Sequence, residues 1–303
     1  MSLPRAMVFG EALTDIVQGV PGQWQGFPGG APWNVARGLA RLGVRSAFGG
    51  SISCDSLGDE IAWQSETAGL DLRFLQRVDA DPLVAIVPSS RPPRYFFAGE
   101  ADLHFDPSQL PEGWLGAAQL CHFSCISLAR EPLAARLVAL AERAKAAGKV
   151  ISYDPNWRNL MDERYRRDTF PRMVALADDL KLSDEDLKHI YPGLDEAQAL
   201  AELRQLNPLA QILFTRGEKG LVLYTPEGQV YQQAAIAVDV VDTVGAGDAC
   251  MAGWLASGLL DIQGLPERLR FAAACASISC RNAGAYAPAR VDVEALLEQL
   301  GQA

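Results

Sequence analysis

Along the chain, short apolar runs alternate with amphipathic runs that end in glycine. The short runs have the length and the β-branched content of buried strands, whereas the longer runs place apolar residues at the 3.6-residue spacing of a helix. In the clearest long run, the apolar residues on one helical face are Leu133, Leu137, Leu140 and Ala144. The alternation predicts an α/β fold with a mostly parallel sheet flanked by helices.

The predicted strands are AMVFGEAL (6–13), SAFGGSI (46–52), LCHFSCISL (120–128), KVISYDP (149–155), DDLKLS (178–183) and QILFT (211–215). The predicted helices are PWNVARGLARLG (32–43), DSLGDEIAWQSETAG (55–69), EPLAARLVALAERAKAAG (131–148) and DEAQALAELRQL (195–206). Pro32 suits the first turn of its helix, and Gly43 and Gly69 suit helix termination. The run GLVLYTPEGQVYQQ (220–233) predicts a hairpin at one edge of the sheet.

Two segments, residues 14–28 and 83–105, do not follow the strand and helix rhythm. Both have the pattern of strands joined by turns, so they predict a small antiparallel β sheet outside the main one. Such a sheet would act as a lid that keeps water from a reactive site, and the alternative is an edge sheet without a functional role. Because exposed strand edges favour pairing between subunits, the lid also predicts a homodimer. No linker-like stretch divides residues 1–303, so we expect a single domain.

The charge balance bears on the partners of the protein. The formal net charge is −10, which disfavours nucleic acid and anionic lipid surfaces as partners. No apolar run reaches the roughly 18 residues of a membrane span, and the first residues lack the pattern of a signal peptide. We therefore expect a cytoplasmic protein that has neither a membrane nor a nucleic acid as its partner.

The six cysteines, at positions 54, 121, 125, 250, 275 and 280, contain no C-x-x-C pair, and we expect reduced, buried thiols. The cluster CHFSC (121–125) raises the possibility of a zinc site. A structural zinc site takes four ligands, however, and the other two histidines, His104 and His189, have no ligand-type spacing around them. We interpret the cluster as a buried strand.

The segment VDTVGAGDAC (241–250) carries the most specific chemical signal. Gly245, Ala246 and Gly247 can turn their backbone N–H groups toward one point where a strand ends and a helix begins, which is how a chain builds an anion site. Asp248 would compete with a bound anion for these donors, so it makes best sense as a group that acts on something close to the anion. The alternative is that Asp248 only complements the helix dipole. The segment alone leaves both interpretations open.

Two common phosphate-binding motifs are absent from the sequence. The P-loop G-x-x-x-x-G-K-[ST] is missing, because the Gly148-Lys149 pair is followed by Val150. The dinucleotide fingerprint would need glycine where Cys250 stands, which weakens a dehydrogenase hypothesis.

The sequence resembles the ribokinase-like (PfkB-type) sugar kinases. The run DTVGAGDA (242–249) resembles the C-terminal signature D-T-x-G-A-G-D of that family, and PGGAPWNVARGLARLG (28–43) resembles its N-terminal signature. The resemblance extends over essentially the whole chain. The runs GEALTDIV, HFSCISLAREP, DPNWR and LKLSDEDL are most similar to fructokinases, and 2-keto-3-deoxygluconate kinases share the D-P-N-x-R element.

The resemblance implies a ribokinase-like doubly wound fold and transfer of the γ-phosphoryl group of ATP to a hydroxyl of a small sugar, with fructose as the expected substrate. It implies that Asp248 takes the proton of the attacking hydroxyl while the amides of Gly245, Ala246 and Gly247 hold the migrating phosphoryl group. A free aspartate has a pKa near about 3.9, so the proton must move late, as a loose transition state forms.

The same resemblance implies the residues that bind the sugar: Asp15, Gly29, Gly30, Asn34, Phe97 and Arg158. For Phe97 simple packing is the alternative, and for Arg158 a surface salt bridge is the alternative. It also implies a nucleotide-phosphate site at Ser183, Thr215, Gly217 and Gly220, with the run FAAACASISC (271–280) as an apolar wall for the adenine.

The sequence departs from the family pattern where many members carry Asn-x-x-Glu and this chain has Ser183 and Asp186. We therefore expect Mg²⁺ to arrive on ATP, held largely by phosphate oxygens. The resemblance further implies a monovalent cation, K⁺, at Asp242, Val244 and Gly284. A 2-keto-3-deoxygluconate kinase and a sugar-binding sensor without catalysis remain the alternative functions.

Overall fold

The computed structural model of the chain describes residues 2–19, 22–88 and 95–301. Parts of the two predicted lid segments, residues 20–21 and 89–94, lie outside the described residues.

The described residues form one large and one small sheet. The large sheet has nine strands: β1 Ala6–Phe9, β4 Ser46–Ser53, β5 Leu75–Val78, β8 Leu120–Ser124, β9 Val150–Asp154, β10 Asp179–Ser183, β11 Gln211–Thr215, β12 Leu221–Tyr224 and β13 Val230–Gln233. Their order is β13-β12-β11-β10-β9-β8-β1-β4-β5, and all pairings from β11 to β5 are parallel. The antiparallel edge is the predicted hairpin of β12 and β13. The predicted mostly parallel sheet is confirmed.

The small sheet contains strands from both predicted lid segments: β2 Leu13–Gln18, β3 Trp24–Gly29, β6 Val84–Val87 and β7 Phe96–Ala98. Its order is β3-β2-β6-β7. Two of its pairings are antiparallel, as predicted, whereas the central pairing of β2 with β6 is parallel. The reason is that each segment supplies its own strand pair, and both pairs leave the large sheet in the same direction.

Helices cover both faces of the large sheet. They are α1 Ala31–Arg41, α2 Ser56–Ala68, α3 Trp114–Ala117, α4 Leu133–Ala146, α5 Phe170–Leu176, α6 Asp184–Ile190, α7 Glu196–Leu206, α8 Ala246–Leu259, α9 Leu265–Cys280 and α10 Arg290–Gly301. Short 3-10 turns lie at Leu72–Phe74, Ala101–His104, Pro107–Gln109, Cys125–Leu128 and Gly217–Lys219, and a π turn lies at Tyr165–Thr169. No helix of the described residues is long and apolar enough to cross a membrane.

Two predicted strands end earlier than their apolar runs. The first ends at Phe9 because Gly10 has φ 151°, and the chain leaves the sheet before Glu11. The strand at 120 ends at Ser124 because Cys125 has φ 61° and begins a 3-10 turn. Both departures lie at the carboxyl ends of neighbouring strands, where ligands bind in open α/β sheets.

The cysteine prediction is confirmed in part. All six thiols are free, and four of them are buried, but Cys54 is exposed and Cys280 is half-buried. Cys54 follows strand β4 just before the N-cap of α2, where the chain has already reached the surface. His122 is fully buried on β8 and hydrogen-bonds through Nδ1 to Ser152 Oγ at 2.8 Å. No zinc-type cluster occurs among the described residues.

Helix α8 lies at the centre of one helical layer, between α1 and α9. Its residues from Asp248 to Ser257 are all buried, in keeping with its nearly uncharged sequence. Glycines allow this close packing: a Cβ on Gly38 would lie 2.6 Å from the Ala252 Cβ, and one on Gly253 would lie 2.7 Å from the Cys275 Sγ. The packing of α8 fixes where its first turn lies.

The contact between Gly38 and Ala252 yields a prediction about stability. Alanine is favoured over glycine in a helix by about 0.5–1 kcal/mol, but a methyl group at position 38 would force α1 and α8 apart, which typically costs about 1–3 kcal/mol. We expect Gly38→Ala to lower the free energy of unfolding measured in urea. The matched control is Gly116→Ala, because a Cβ at that helical position meets nothing within 4 Å. Equal effects of the two substitutions would contradict this view of the helix contact.

Candidate active site

A cavity of about 90 Å³ lies where the carboxyl ends of the central strands meet the small sheet. Eight residues predicted from the sequence line it: Asp15, Gly30, Asn34, Phe97, Arg158, Val244, Gly245 and Asp248. The other lining residues are Glu11, Leu13, Ala31, Tyr95, Cys125, Ile126 and Ala285. The structure therefore brings together residues that are far apart in the sequence.

The first turn of α8 opens onto this cavity. Gly245 is the N-cap with φ 75°, and a Cβ there would lie 2.7 Å from Ala285, so glycine is required for both reasons. The N–H of Ala246 makes a long bond of 3.3 Å to the Thr243 carbonyl. The N–H groups of Gly245, Gly247 and Asp248 have no acceptor in the described part of the chain. The amides available to an anion thus include that of Asp248 itself.

Asp248 is buried at this helix end, with 7% of its surface exposed. Two asparagine side chains hold its carboxylate: Asn34 Nδ2 donates to Oδ2 at 2.9 Å, and Asn156 Nδ2 donates to Oδ1 at 3.3 Å. Burial raises the pKa of Asp248, while the hydrogen bond from Asn34 and the positive charge of Lys181 oppose the rise. The result is a carboxylate that is fixed in place and more basic than a free aspartate.

A buried ion pair lies beneath the same helix end. Lys181 Nζ, on β10, contacts Asp154 Oδ2 at 2.6 Å, and the two side chains are 4% and 1% exposed. Burial alone would lower the pKa of Lys181, but the carboxylates of Asp154 and Asp186 raise it above its usual range. A Cβ on Gly247 would lie 3.7 Å from Lys181 Nζ. A positive charge therefore stands next to the amides of the first turn.

On the other side of the cavity, two glycines let the backbone approach closely. A Cβ on Gly29 would lie 2.5 Å from Asp15 Oδ2, and Gly30 has φ 109° and would meet the Glu11 carbonyl at 2.6 Å. Burial raises the pKa of Asp15 to about 6, although the positive charge of Arg158 opposes the rise. Burial also raises the pKa of Glu11 to about 7. Glu11 Oε2 hydrogen-bonds to Ser127, and its Oε1 has no partner among the described residues.

Arg158 and two aromatic side chains complete the cavity. The guanidinium of Arg158 donates to Asn156 Oδ1 at 2.7 Å and lies 5.2 Å from the centre of the Tyr95 ring. In the described part of the chain no carboxylate pairs with it, which argues against the surface salt bridge. Tyr95 stacks on Phe97, with ring centres 6.0 Å apart. Cys125 and Asn156, at φ 61° and φ 40°, hold strained backbone at the site.

The predicted nucleotide residues do not line the cavity but lie along the same edge of the sheet. Ser183 and Thr215 end the paired strands β10 and β11, and Gly217 and Gly220, with φ 53° and φ 89°, form the turn that follows. Ser183 also caps α6: its hydroxyl oxygen accepts the Asp186 N–H at 3.0 Å, and its own hydroxyl and amide both donate to Asp186 Oδ2 at 2.7 Å. Asp186 Oδ1 accepts from the Trp157 N–H at 2.7 Å. These hydrogen bonds fix the orientation of the Asp186 carboxylate.

The three residues predicted for a monovalent cation are joined by hydrogen bonds. The carboxylate of Asp242 accepts the N–H of Val244 at 3.1 Å and the N–H of Gly284 at 2.9 Å. Asp242 thereby ties the loop before α8 to the loop after α9. The carbonyls of these loops, rather than a cluster of carboxylates, would have to supply cation ligands.

Several site residues were not singled out from the sequence: Glu11, Arg37, Tyr95, Asn156 and Lys181. A signal existed for three of them. Lys181 is a charged residue flanked by Leu180 and Leu182 in a buried strand. Asn156 lies inside the DPNWR motif. Arg37 follows Asn34 by three residues, which places both on the same helix face.

Comparisons with known proteins show the family and the fold of the chain. The family model described as pfkB family carbohydrate kinase matches residues 4–292. The chain is 35% identical over 270 residues to a fructokinase of Klebsiella pneumoniae, covering 86% of each chain. Among solved structures, a Xylella fastidiosa fructokinase with bound ATP is 27% identical with a TM-score of 0.86, covering 99% of this chain and 100% of that one. A double mutant of Vibrio cholerae fructokinase, with fructose, ADP and potassium bound, is 25% identical with a TM-score of 0.85, covering 98% and 99%.

The buried ion pair at the site yields a second prediction. Lys181→Met leaves Asp154 as an unpaired buried carboxylate, which we expect to cost about 3–5 kcal/mol of unfolding free energy at pH 7.5. Burial raises the pKa of Asp154 to about 6 even with the lysine present, so the cost should shrink as pH falls and the carboxyl takes up a proton.

The matched control for this prediction is Lys145→Met. The pair of Lys145 with Asp178 has the same distance of 2.6 Å but side chains that are 38% and 42% exposed, so its loss should cost less than about 1 kcal/mol. Urea unfolding of both variants at pH 7.5 and pH 5.5 measures the difference. A similar loss of unfolding free energy in both variants would contradict the larger contribution predicted for the buried pair.

Proposed function

Because the chain belongs to the pfkB family of carbohydrate kinases, we propose that it is a fructokinase, which transfers the γ-phosphoryl group of ATP to a hydroxyl of fructose. The observation that carries the proposal is the buried carboxylate of Asp248 facing the cavity beside the unpaired amides of the α8 N-terminus. The fructokinase names of relatives over most of the chain support fructose as the sugar.

Asp248 acts as the base in this proposal. Its two asparagine partners leave the carboxylate oriented toward the cavity, and its raised pKa makes it a better proton acceptor than a free aspartate. It receives the proton of the sugar hydroxyl late, as the bond to the phosphoryl group forms.

The first turn of α8 holds the migrating phosphoryl group. The amides of Gly245, Gly247 and Asp248 are free to donate, with that of Ala246 weakly engaged, and the helix dipole adds a partial positive charge. Lys181 adds a full charge next to Gly247. Fixed donors of this kind stabilise the charge of the transition state without reorganisation.

The cavity suits a small polyol. Asp15 offers acceptor oxygens, Asn34 offers a donor, and Arg158 offers donors to sugar oxygens or to the phosphate. The backbone at Gly29 and Gly30 allows close approach, and Phe97 covers the sugar from the lid.

We place the nucleotide phosphates along Ser183, Thr215, Gly217 and Gly220, next to the first turn of α8. The adenine would lie against the apolar residues of α9, which packs between α8 and β13. ATP supplies the phosphoryl group and would bring Mg²⁺ on its own oxygens, since this chain has Ser183 and Asp186 where many family members carry Asn-x-x-Glu. The loops joined by Asp242, which include Val244 and Gly284, would hold K⁺ through carbonyls.

The small sheet supports a further part of the proposal, a homodimer. It exposes large apolar side chains, Trp24, Phe27 and Phe96, at 47%, 40% and 58%. It also leaves β3 and β7 as unpaired edges in the described part of the chain. Apolar surface and open strand edges favour pairing with a second copy. Sedimentation of the wild-type chain and of Phe96→Ser tests this: the variant should be monomeric, and an unchanged state would argue against this interface.

A panel of sugars tests the assignment of the substrate. ADP release is measured with fructose, ribose, 2-keto-3-deoxygluconate and aminoimidazole riboside as acceptors, with ATP and Mg²⁺ present. Fructose should give the highest kcat/KM. A higher kcat/KM for another sugar would make that sugar the substrate and leave the assignment as a kinase unchanged. No activity with any acceptor would contradict the proposed function.

Removal of the base yields a third prediction. Asp248→Asn preserves the size of the side chain but cannot accept the proton, so we expect kcat to fall by about 10²–10⁴ while fructose still binds. Turnover comes from ADP release and binding from calorimetry. Near-normal turnover would show that Asp248 is not the base.

The raised pKa of Asp15 yields a fourth prediction. At pH 7.5 the carboxyl is ionised and accepts hydrogen bonds from the sugar, and at pH 5.5 most of it is protonated, since its pKa is about 6. A hydrogen bond to a charged group contributes about 1.5–3 kcal/mol, so the protonated form should bind fructose much more weakly. Because about a quarter of the carboxyl is still ionised at pH 5.5, the KM for fructose should rise by up to about fourfold over this range.

Two variants separate this effect from other titrations. Asp15→Asn should show a high KM that no longer changes with pH, whereas Glu11→Gln should keep the rise. If the rise persists in Asp15→Asn, a different group controls sugar affinity.

A further inference from the structure

Arg37 on α1 reaches the site from behind Asn34. Its Nη2 donates to Asn34 Oδ1 at 2.8 Å and to the Ala285 carbonyl at 3.1 Å, and its Nη1 donates to Gln64 Oε1 at 3.1 Å. The guanidinium lies 3.8 Å from the centre of the Trp33 ring. These contacts hold the arginine in one orientation.

The contact with Arg37 determines how the amide of Asn34 is oriented. Arg37 can only donate hydrogen bonds, so it selects the oxygen of the amide and turns Nδ2 toward Asp248. In the opposite orientation Oδ1 would face the carboxylate, and two acceptors would repel each other. With Oδ1 and one N–H engaged, the other N–H of Asn34 remains to donate to a sugar oxygen.

The other asparagine is held in the same way. Arg158 Nη1 donates to Asn156 Oδ1 at 2.7 Å, and Asn156 Nδ2 donates to Asp248 Oδ1 at 3.3 Å. Each oxygen of Asp248 is thus reached by an asparagine whose own oxygen is fixed by an arginine. We call these four residues the two-armed clamp: Arg37, Asn34, Arg158 and Asn156.

We propose that Arg37 is a positioning residue for Asp248, which it orients through Asn34 as one arm of this clamp. The inference rests on the proposed kinase function and adds to it a residue that does not line the cavity.

The electrostatics of Arg37 support a role beyond packing. In the described part of the chain its hydrogen bonds go only to neutral acceptors, and no carboxylate pairs with it. Partial burial of a guanidinium without an ion pair costs free energy, so packing alone does not explain an arginine at this position. Burial lowers the pKa of Arg37 to about 10, and the charge of Asp248 is the largest effect opposing that fall. The charge of Arg37 therefore acts on Asp248.

Other charged and titratable groups also face Asp248 and must be held constant in the test. They come from β10, β9, the loop after β9, the segment before β7 and the 3-10 turn at Cys125–Leu128: Lys181, Asp154, Arg158, Tyr95 and Cys125. None of them contacts Arg37 by a hydrogen bond in the described residues.

The test compares three variants of the full chain with the sugar that the wild-type chain phosphorylates. Arg37→Met removes the charge and the hydrogen bonds, and Arg37→Lys keeps the charge but cannot hold Asn34, Ala285 and Gln64 together. Arg41→Met is the matched control, because Arg41 lies one turn further on α1 and stacks 5.6 Å from the Tyr286 ring. Readouts are kcat, KM, the pH profile of kcat and the melting temperature.

We expect kcat to fall by about ten- to a hundredfold in Arg37→Met, with a smaller change in KM, because misplacement of a reacting group has effects of that size. The acid limb of the kcat profile should move to higher pH, since a positive charge that lowers the pKa of Asp248 is lost. Arg37→Lys should lose kcat without that shift. Arg41→Met should match the wild type in kcat and in the position of the acid limb.

A double-mutant cycle decides whether Arg37 acts through Asn34. In an Asn34→Ala background, Arg37→Met should cause little further loss of kcat. Additive losses in the cycle, or an Arg37→Met enzyme with wild-type kcat and pH profile, would overturn the positioning role while leaving the kinase intact. A wild-type chain that phosphorylates no sugar would instead overturn the proposed function and this inference with it.

Discussion

A buried carboxylate at a helix N-terminus needs hydrogen-bond donors, and the arrangement of the site follows from that requirement. Asp248 takes its donors from Asn34 and Asn156, which come from α1 and from the loop after β9. The amides of the first turn of α8 are therefore left for another anion. The separation of the two donor sets would let a carboxylate and the proposed phosphoryl group share one helix end without competing, which answers the question that the GAGD sequence raises.

The fold holds this arrangement in place by packing α8 tightly. Close contacts at Gly38 and Gly253 fix α8 against α1 and α9, and the buried pair of Lys181 and Asp154 fixes the charge below its first turn. Buried ion pairs are weak evidence for stability, because desolvation opposes their attraction. Beside the proposed phosphoryl site, a buried lysine would stabilise negative charge electrostatically.

The sequence predicted the order of strands and helices well, because the spacing of apolar residues and the glycines at the ends of elements are local signals. It also identified eight of the fifteen residues that line the cavity, and five of these lie in the motifs at 28–43 and 242–249: Gly30, Asn34, Val244, Gly245 and Asp248. The early ends of the strands before Glu11 and Cys125 were not predicted, because apolar residues resume after the turn, at Ala12 and Leu13 and at Ile126. Arg37 and Lys181 carried local signals, but the residues that they contact come from distant elements, which no local pattern identifies. The parallel pairing of β2 with β6 likewise depends on how two separate segments meet.

The central claim is that the first turn of α8 binds the migrating phosphoryl group while Asp248 receives the proton of the sugar. A crystal structure with fructose, ADP and aluminium fluoride, which mimics that group, measures both contacts at once. We predict fluorides within hydrogen-bond distance of the amides of Gly247 and Asp248, and a fructose hydroxyl within about 3.2 Å of an Asp248 carboxylate oxygen. A fluoride group bound away from this turn, or a sugar hydroxyl facing another base, would contradict the account.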